Sequence, residues 1–92
     1  MKRIIEIEVT PRAEDGHYHA HIDGVTSIWS DGDSIEDAVV SLLQDHRNIL
    51  ELPDSVVACI SHSASLVLMT IANILKNNDI ELEIKFNPMK IL

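Results

Sequence analysis

Residues Tyr18 to Val39, YHAHIDGVTSIWSDGDSIEDAV, decide the fold. From His17 to Ile22 the side chains alternate, with Tyr18, Ala20 and Ile22 on the apolar side of a short strand. Asp23-Gly24 follows, a dipeptide favoured where both turn residues need positive φ. Val25 to Ser30 predicts the returning strand. Gly32-Asp33-Ser34 then opens a helix: Asp33 or Ser34 can cap its free N–H groups, and Glu36 and Asp37 sit in the first turn, where the dipole favours negative charge.

Upstream, Arg3 to Thr10 alternates with Ile5, Ile7 and Val9 on one side and Ile4, Glu6 and Glu8 on the other, so a half-buried strand precedes the hairpin. The turn PRAEDG joins the two. Three strands in this order predict an antiparallel meander with one wet face. Downstream, Ile35, Ala38, Val39, Leu42, Leu43, Ile49 and Leu50 form one stripe, predicting a helix from Ser34 to about Glu51 that Pro53 ends.

Ser55 to Leu75 contains no Asp, Glu, Lys or Arg, yet it holds four Ser, one Thr, one Asn and His62, which argues against a membrane span. Two readings stand. Val56 to Ile60 is a buried strand followed by a helix from Ser63 to Lys76, or one long helix starts at Asp54 with Val56, Ile60, Val67, Ile71 and Ile74 as its stripe. Lys76-Asn77-Asn78-Asp79 ends a helix. Ile80 to Phe86 predicts the last strand, with Ile80, Leu82, Ile84 and Phe86 inward and Glu81, Glu83 and Lys85 outward. The fold class is α+β in a single domain over 1–92: a three-stranded antiparallel meander, a helix, a second helical segment and a final strand.

Composition bounds the function. At 92 residues the chain buries roughly 60–65% of its unfolded surface, so self-association is expected. One Trp, one Tyr and one Phe leave the core to aliphatic side chains, with Trp29 and Met69 read as core. A lone cysteine, Cys59, reads as a small buried hydrophobe. With no secretory pattern at the N-terminus, a reducing cytoplasm is expected. Fifteen Asp plus Glu against seven Lys plus Arg give a formal net charge of −8. Direct nucleic-acid binding needs a basic face, and Lys2-Arg3 and Lys85 to Lys90 are too thin for one. An acidic domain suits a basic partner.

Tyr18-x-Ala20, a strand turn and Gly32-Asp33-Ser34-x-Glu36-Asp37-Ala38 resemble the HicB antitoxin family, where a Tyr-x-Ala strand and a turn precede a Gly-Asp-Ser/Thr helix start and Glu-Glu-Ala. The resemblance covers residues 1–52 and implies a partial RNase H-like domain. It also implies the function of an antitoxin, which docks on a small basic mRNA interferase of the HicA type and masks its active site. Nothing after Pro53 looks like a basic recognition helix, so no DNA-binding segment is carried over. The expected contact surface comprises Glu6, Glu8, Asp31, Asp33, Glu36 and Asp37, with no cofactor and no catalytic residue.

Three clusters have other readings. His17, His19 and His21 share one strand face, with Glu8 expected opposite His19 and Glu6 opposite His21. Such a face is a metal site for Zn²⁺, Cu²⁺ or Ni²⁺, a pH-sensitive surface, or a plain solvated face. A stand-alone domain binding metal or a small ligand there is the alternative function. Asp31-Gly32-Asp33, with Asp23 and Asp37, could hold Mg²⁺ but reads as a turn and helix cap. Ser61-His62-Ser63 is no triad, because a base must reach the nucleophile from elsewhere.

Overall fold

The computed structural model describes residues 2–12, 16–62 and 68–88, with no side-chain description at 60–62. Seven elements follow in chain order: β1 (Arg3–Pro11), β2 (Tyr18–Ile22), β3 (Val25–Gly32), α1 (Ile35–Asp45), α2 (Asp54–His62), α3 (Leu68–Asn77) and β4 (Ile80–Phe86). The sheet order is β3-β2-β1-β4. The first three strands pair antiparallel, and β4 lies parallel to β1 with Ile5 opposite Leu82 and Ile7 opposite Ile84. A parallel neighbour requires a crossover. Here the crossover is the whole helical segment, which covers one sheet face: α1 packs on β3, β2 and β1, while α3 packs on β4 and on α2.

The expected alternation of β1 holds. Ile5, Ile7 and Val9 are buried under the helices with Ala20, Ala38, Val39, Leu42, Leu43, Val56, Ile71 and Leu75, in one aliphatic core. Gly32 sits where α1 crosses back onto the sheet. A Cβ built there would lie 2.3 Å from the backbone nitrogen of Ala38. The glycine of the Gly-Asp-Ser sequence is thus a close-approach residue, with no left-handed φ involved. Ser34, not Asp33, is the cap: its hydroxyl accepts from the Asp37 N–H at 3.0 Å.

Several expectations are corrected. Helix α1 stops at Asp45 instead of continuing to about Glu51. Arg47 Nη1 donates to the Gln44 carbonyl at 2.6 Å, Glu51 takes φ +52°, and the Arg3 guanidinium reaches from β1 to the Leu50 and Glu51 carbonyls. The Arg47 bond takes the Gln44 carbonyl, which a longer helix would have given to the Asn48 N–H. Leu50 stays in the core, but Ile49 is 65% exposed. Pro53 does not end α1; it opens α2, its carbonyl accepting from Val56 and Val57.

Val56 to Ile60 is helix, so the strand reading fails. A single long helix fails too. Asn78 Nδ2 donates to Ser55 Oγ at 3.4 Å, whereas 23 residues of continuous helix would hold the two about 34 Å apart. Helices α2 and α3 therefore form a hairpin whose ends meet. At Asp23-Gly24 only Gly24 has positive φ, +82°. The β1–β2 register is two residues from the expected one, with Glu8 opposite His21 and Thr10 opposite His19. The Arg12 N–H donates to the His17 carbonyl at 2.8 Å, so the ladder runs further into PRAEDG than its turn chemistry implies. Pro11 falls opposite Tyr18, between hydrogen-bonded pairs, where a missing N–H costs nothing.

In β4 the inward set is on the expected face, but cover runs out along it. Ile80 is buried and Leu82 partly so, while Ile84 and Phe86 are 37% and 46% exposed. Cys59 is a free thiol, half-buried, not fully enclosed. No helix among the described residues is long and apolar enough to cross a membrane.

Candidate functional site

The helices leave the other sheet face open, and register decides what it presents. Residues opposite one another across four strands form rows: Trp29, His21, Glu8 and Lys85 in one, and Asp31, His19 and Thr10 in the next. Glu6 and Glu83 lie side by side on β1 and β4. The period of 2 in β3 places Ile28 and Ser30 beneath α1, so Trp29 and Asp31 point away from it.

Trp29 is consequently 48% exposed, a correction to its reading as core, and Met69 on α3 is exposed as well. The Trp29 ring lies against His19 with centroids 5.4 Å apart and planes tilted by 33°, and His19 is followed by His21 at 5.7 Å. The Trp29 carbonyl is held from below by His46 Nε2 at 2.8 Å. A carbonyl only accepts, so Nε2 carries the hydrogen. Ser30, buried under α1, donates to Asp45 Oδ2 at 2.7 Å. The indole is thus exposed, yet fixed at its backbone and on one ring face.

The six expected contact residues divide. Glu6, Glu8 and Asp31 lie on the open face, and Asp33 continues it at the edge, where its Oδ1 is 2.7 Å from His17 Nε2. Asp31 is fully engaged: Arg12 Nη1 donates to Oδ2 and His19 Nδ1 to Oδ1, the latter at 2.8 Å. Glu36 and Asp37 lie apart from this face, at the start of α1. Glu36 Oε1 accepts from the Leu68 N–H at 2.8 Å and so helps to cap α3. No hydrogen bond or ion pair among the described residues reaches the Glu6 or Glu83 carboxylate. With Glu8 beside them, these two hold the densest uncompensated negative charge of the open face.

The histidine face exists, but its imidazoles go to separate carboxylates. His17 meets Asp33, His19 meets Asp31, and His21 Nε2 lies 3.6 Å from Glu8. Among the described residues no group of three or more His, Cys, Asp or Glu is disposed to hold a metal ion. Two buried polar atoms, Thr10 Oγ1 and His21 Nδ1, have no hydrogen-bond partner within the described residues. The Asp31-Gly32-Asp33 carboxylates do not converge with Asp23, whose partner is Lys85 at 3.7 Å. Ser61-His62-Ser63 lies outside the residues whose side chains are described.

The sequence reading missed Trp29. The strict alternation of Ile28, Trp29, Ser30 and Asp31 was the available signal; the usual burial of tryptophan outweighed it. Fold and site together define a two-layer α+β domain whose open, acidic sheet face carries the exposed Trp29. No family model matches the chain, and neither a curated protein nor a solved structure matches it.

Proposed function

We propose that this chain is a binding module of the antitoxin type, which docks its open sheet face on a small basic protein and masks it without performing chemistry. The observation that carries the reading is the open sheet face, which presents the exposed, backbone-fixed Trp29 on β3 and the Glu6 and Glu83 carboxylates on β1 and β4, in a chain of net charge −8. A rigid, exposed aromatic is a usual anchor of an interface hot spot, and uncompensated carboxylates steer a basic partner toward the face that carries it. The resemblance of Tyr18-x-Ala20 and Gly32-Asp33-Ser34 to HicB sequences supports the same reading, as does the order of three strands, a helix and a later strand. The partner is then a HicA-type interferase, met in a reducing cytoplasm, with no nucleic acid bound directly by this chain.

The test is purification of the tagged chain from its host. A small basic protein should come with it in fixed molar ratio. Trp29→Ala should weaken that complex about thirty-fold or more, the scale of a hot-spot loss above about 2 kcal/mol. Recovery of the chain without a basic protein, or equal affinity in the Trp29 variant, contradicts the reading.

A further inference from the structure

One edge of the sheet carries a second surface, which adjoins the open face at Glu83 and Lys85. Strand β4 is terminal in the sheet order. The Asn87 N–H donates to the Val9 carbonyl at 2.8 Å, so the odd-numbered residues of β4 turn their backbone groups toward β1. The N–H and C=O groups of Ile80, Leu82, Ile84 and Phe86 therefore point outward along an edge seven residues long that no other strand among the described residues pairs. Edges of this kind pair with another strand unless they are blocked, and β4 has no proline or bulge within it.

We propose that the occupant is β4 of a second copy of this chain, paired antiparallel about a two-fold axis at Ile84. In that register Ile84 faces its own copy and exchanges both N–H···O bonds with it. Leu82 faces Phe86 of the second copy. On the open face Glu83 meets Lys85 of the second copy, twice by symmetry, with each exposed Lys85 ammonium turning from its 3.7 Å contact with Asp23 of its own chain.

Three observations select this arrangement. First, Ile84 and Phe86 are the two β4 side chains on the covered face that the helices leave exposed, and this register puts Ile84 on the axis and Phe86 against Leu82 of the second copy. Second, Glu83 lies beside Glu6, a like-charge cross-strand pair with no cation on it among the described residues, and the second copy supplies one. A register shifted by one pair, centred on Glu83, would instead place two further like charges in contact. Third, Leu82, which Phe86 of the second copy faces in this register, lines a groove with Ile80 and with Ala72 and Asn73 of α3; the charged rim of the groove is Lys2, Lys76 and Glu81. The product is a continuous eight-stranded sheet with both acidic faces on one side and all helices on the other, an isologous dimer.

A charge swap tests it. Sedimentation velocity over a concentration series should give twice the 10.3 kDa chain mass for the unaltered protein. Lys85→Glu or Glu83→Lys alone turns two attractive contacts into two repulsive ones and should raise the dissociation constant about thirty-fold. The double variant Glu83→Lys, Lys85→Glu should restore the dimer to within about three-fold, which loss of folding could not do. Circular dichroism on each variant confirms the fold, and Phe86→Ala should weaken the dimer without changing the spectrum. A monomer at all concentrations, a dimer indifferent to both single variants, or failure of the swap to restore association overturns the proposal. Mass recovered only with a basic protein present would assign the edge to that protein instead and overturn it too.

Discussion

Replacing Gly32 with alanine tests how tightly the start of α1 is seated. The added Cβ would lie 2.3 Å from Ala38 N, 2.6 Å from the Asp37 carbonyl carbon and 2.8 Å from Ala38 Cα. All three are backbone atoms of the first helical turn, so no side chain can rotate out of the way. Ordinary contact requires separation to about 3.5 Å, hence a shift of about 1 Å in either the end of β3 or the start of α1. The same helix carries Ala38, Val39, Leu42 and Leu43, all fully buried against the sheet. A gap of 0.5–1 Å forfeits roughly a quarter to a half of each dispersion contact. Overpacking costs about 1–3 kcal/mol where some relaxation is possible, and rigid backbone on both sides sets the expectation at about 3 kcal/mol. For a domain of this size that is a fall in melting temperature of roughly 12–24 °C. Gly24→Ala is the control. Gly24 has φ +82° with nothing within 4 Å of a new Cβ, so only the left-handed backbone cost of about 1–2 kcal/mol applies. Urea denaturation of the three proteins at one concentration decides the matter. If Gly32→Ala is as mild as Gly24→Ala or milder, the close approach of α1 is not what the glycine serves, and the reasoning fails.

Two further perturbations test the corrected parts of the fold. Ser34→Ala removes the acceptor for the Asp37 N–H and should cost about 1 kcal/mol, whereas Asp33→Ala should cost less; equal losses in urea titration would return the cap to Asp33. Leu42→Ala should cost about 2–5 kcal/mol by opening a cavity under α1, while Met69→Ala should stay within about 0.5 kcal/mol because its side chain is exposed; a large loss at Met69 would restore it to the core.

Alternation made β1 and the meander legible, because one strand face had to be apolar, and Ile5, Ile7 and Val9 allow only one choice of it. The start of α1 was equally plain from Ser34, Glu36 and Asp37. Its end was not, because the stripe through Ile49 and Leu50 continues on paper. It stops at Asp45, and the turns that follow are tied to β1 by Arg3, 47 residues away from Leu50, a contact whose range leaves no local pattern. Ser55 to Leu75 defeated periodicity because a β-branched run and a helix hairpin share the same apolar composition. Within the candidate site the histidine face was readable from residue spacing, but its partners were not. A two-residue change of register moved Glu8 from His19 to His21 and left Asp31, on the third strand, to take His19. Trp29 shows the same limit: its face follows from alternation, yet residue type argued the other way.

The proposed masking of a basic toxin by the open face is read out by the growth of cells. The small basic protein recovered with this chain should arrest growth when expressed alone. Co-expression of the unaltered chain should restore growth, and co-expression of Trp29→Ala, at equal abundance, should not. A basic protein that leaves growth unaffected, or rescue that is the same with and without Trp29, would contradict the account.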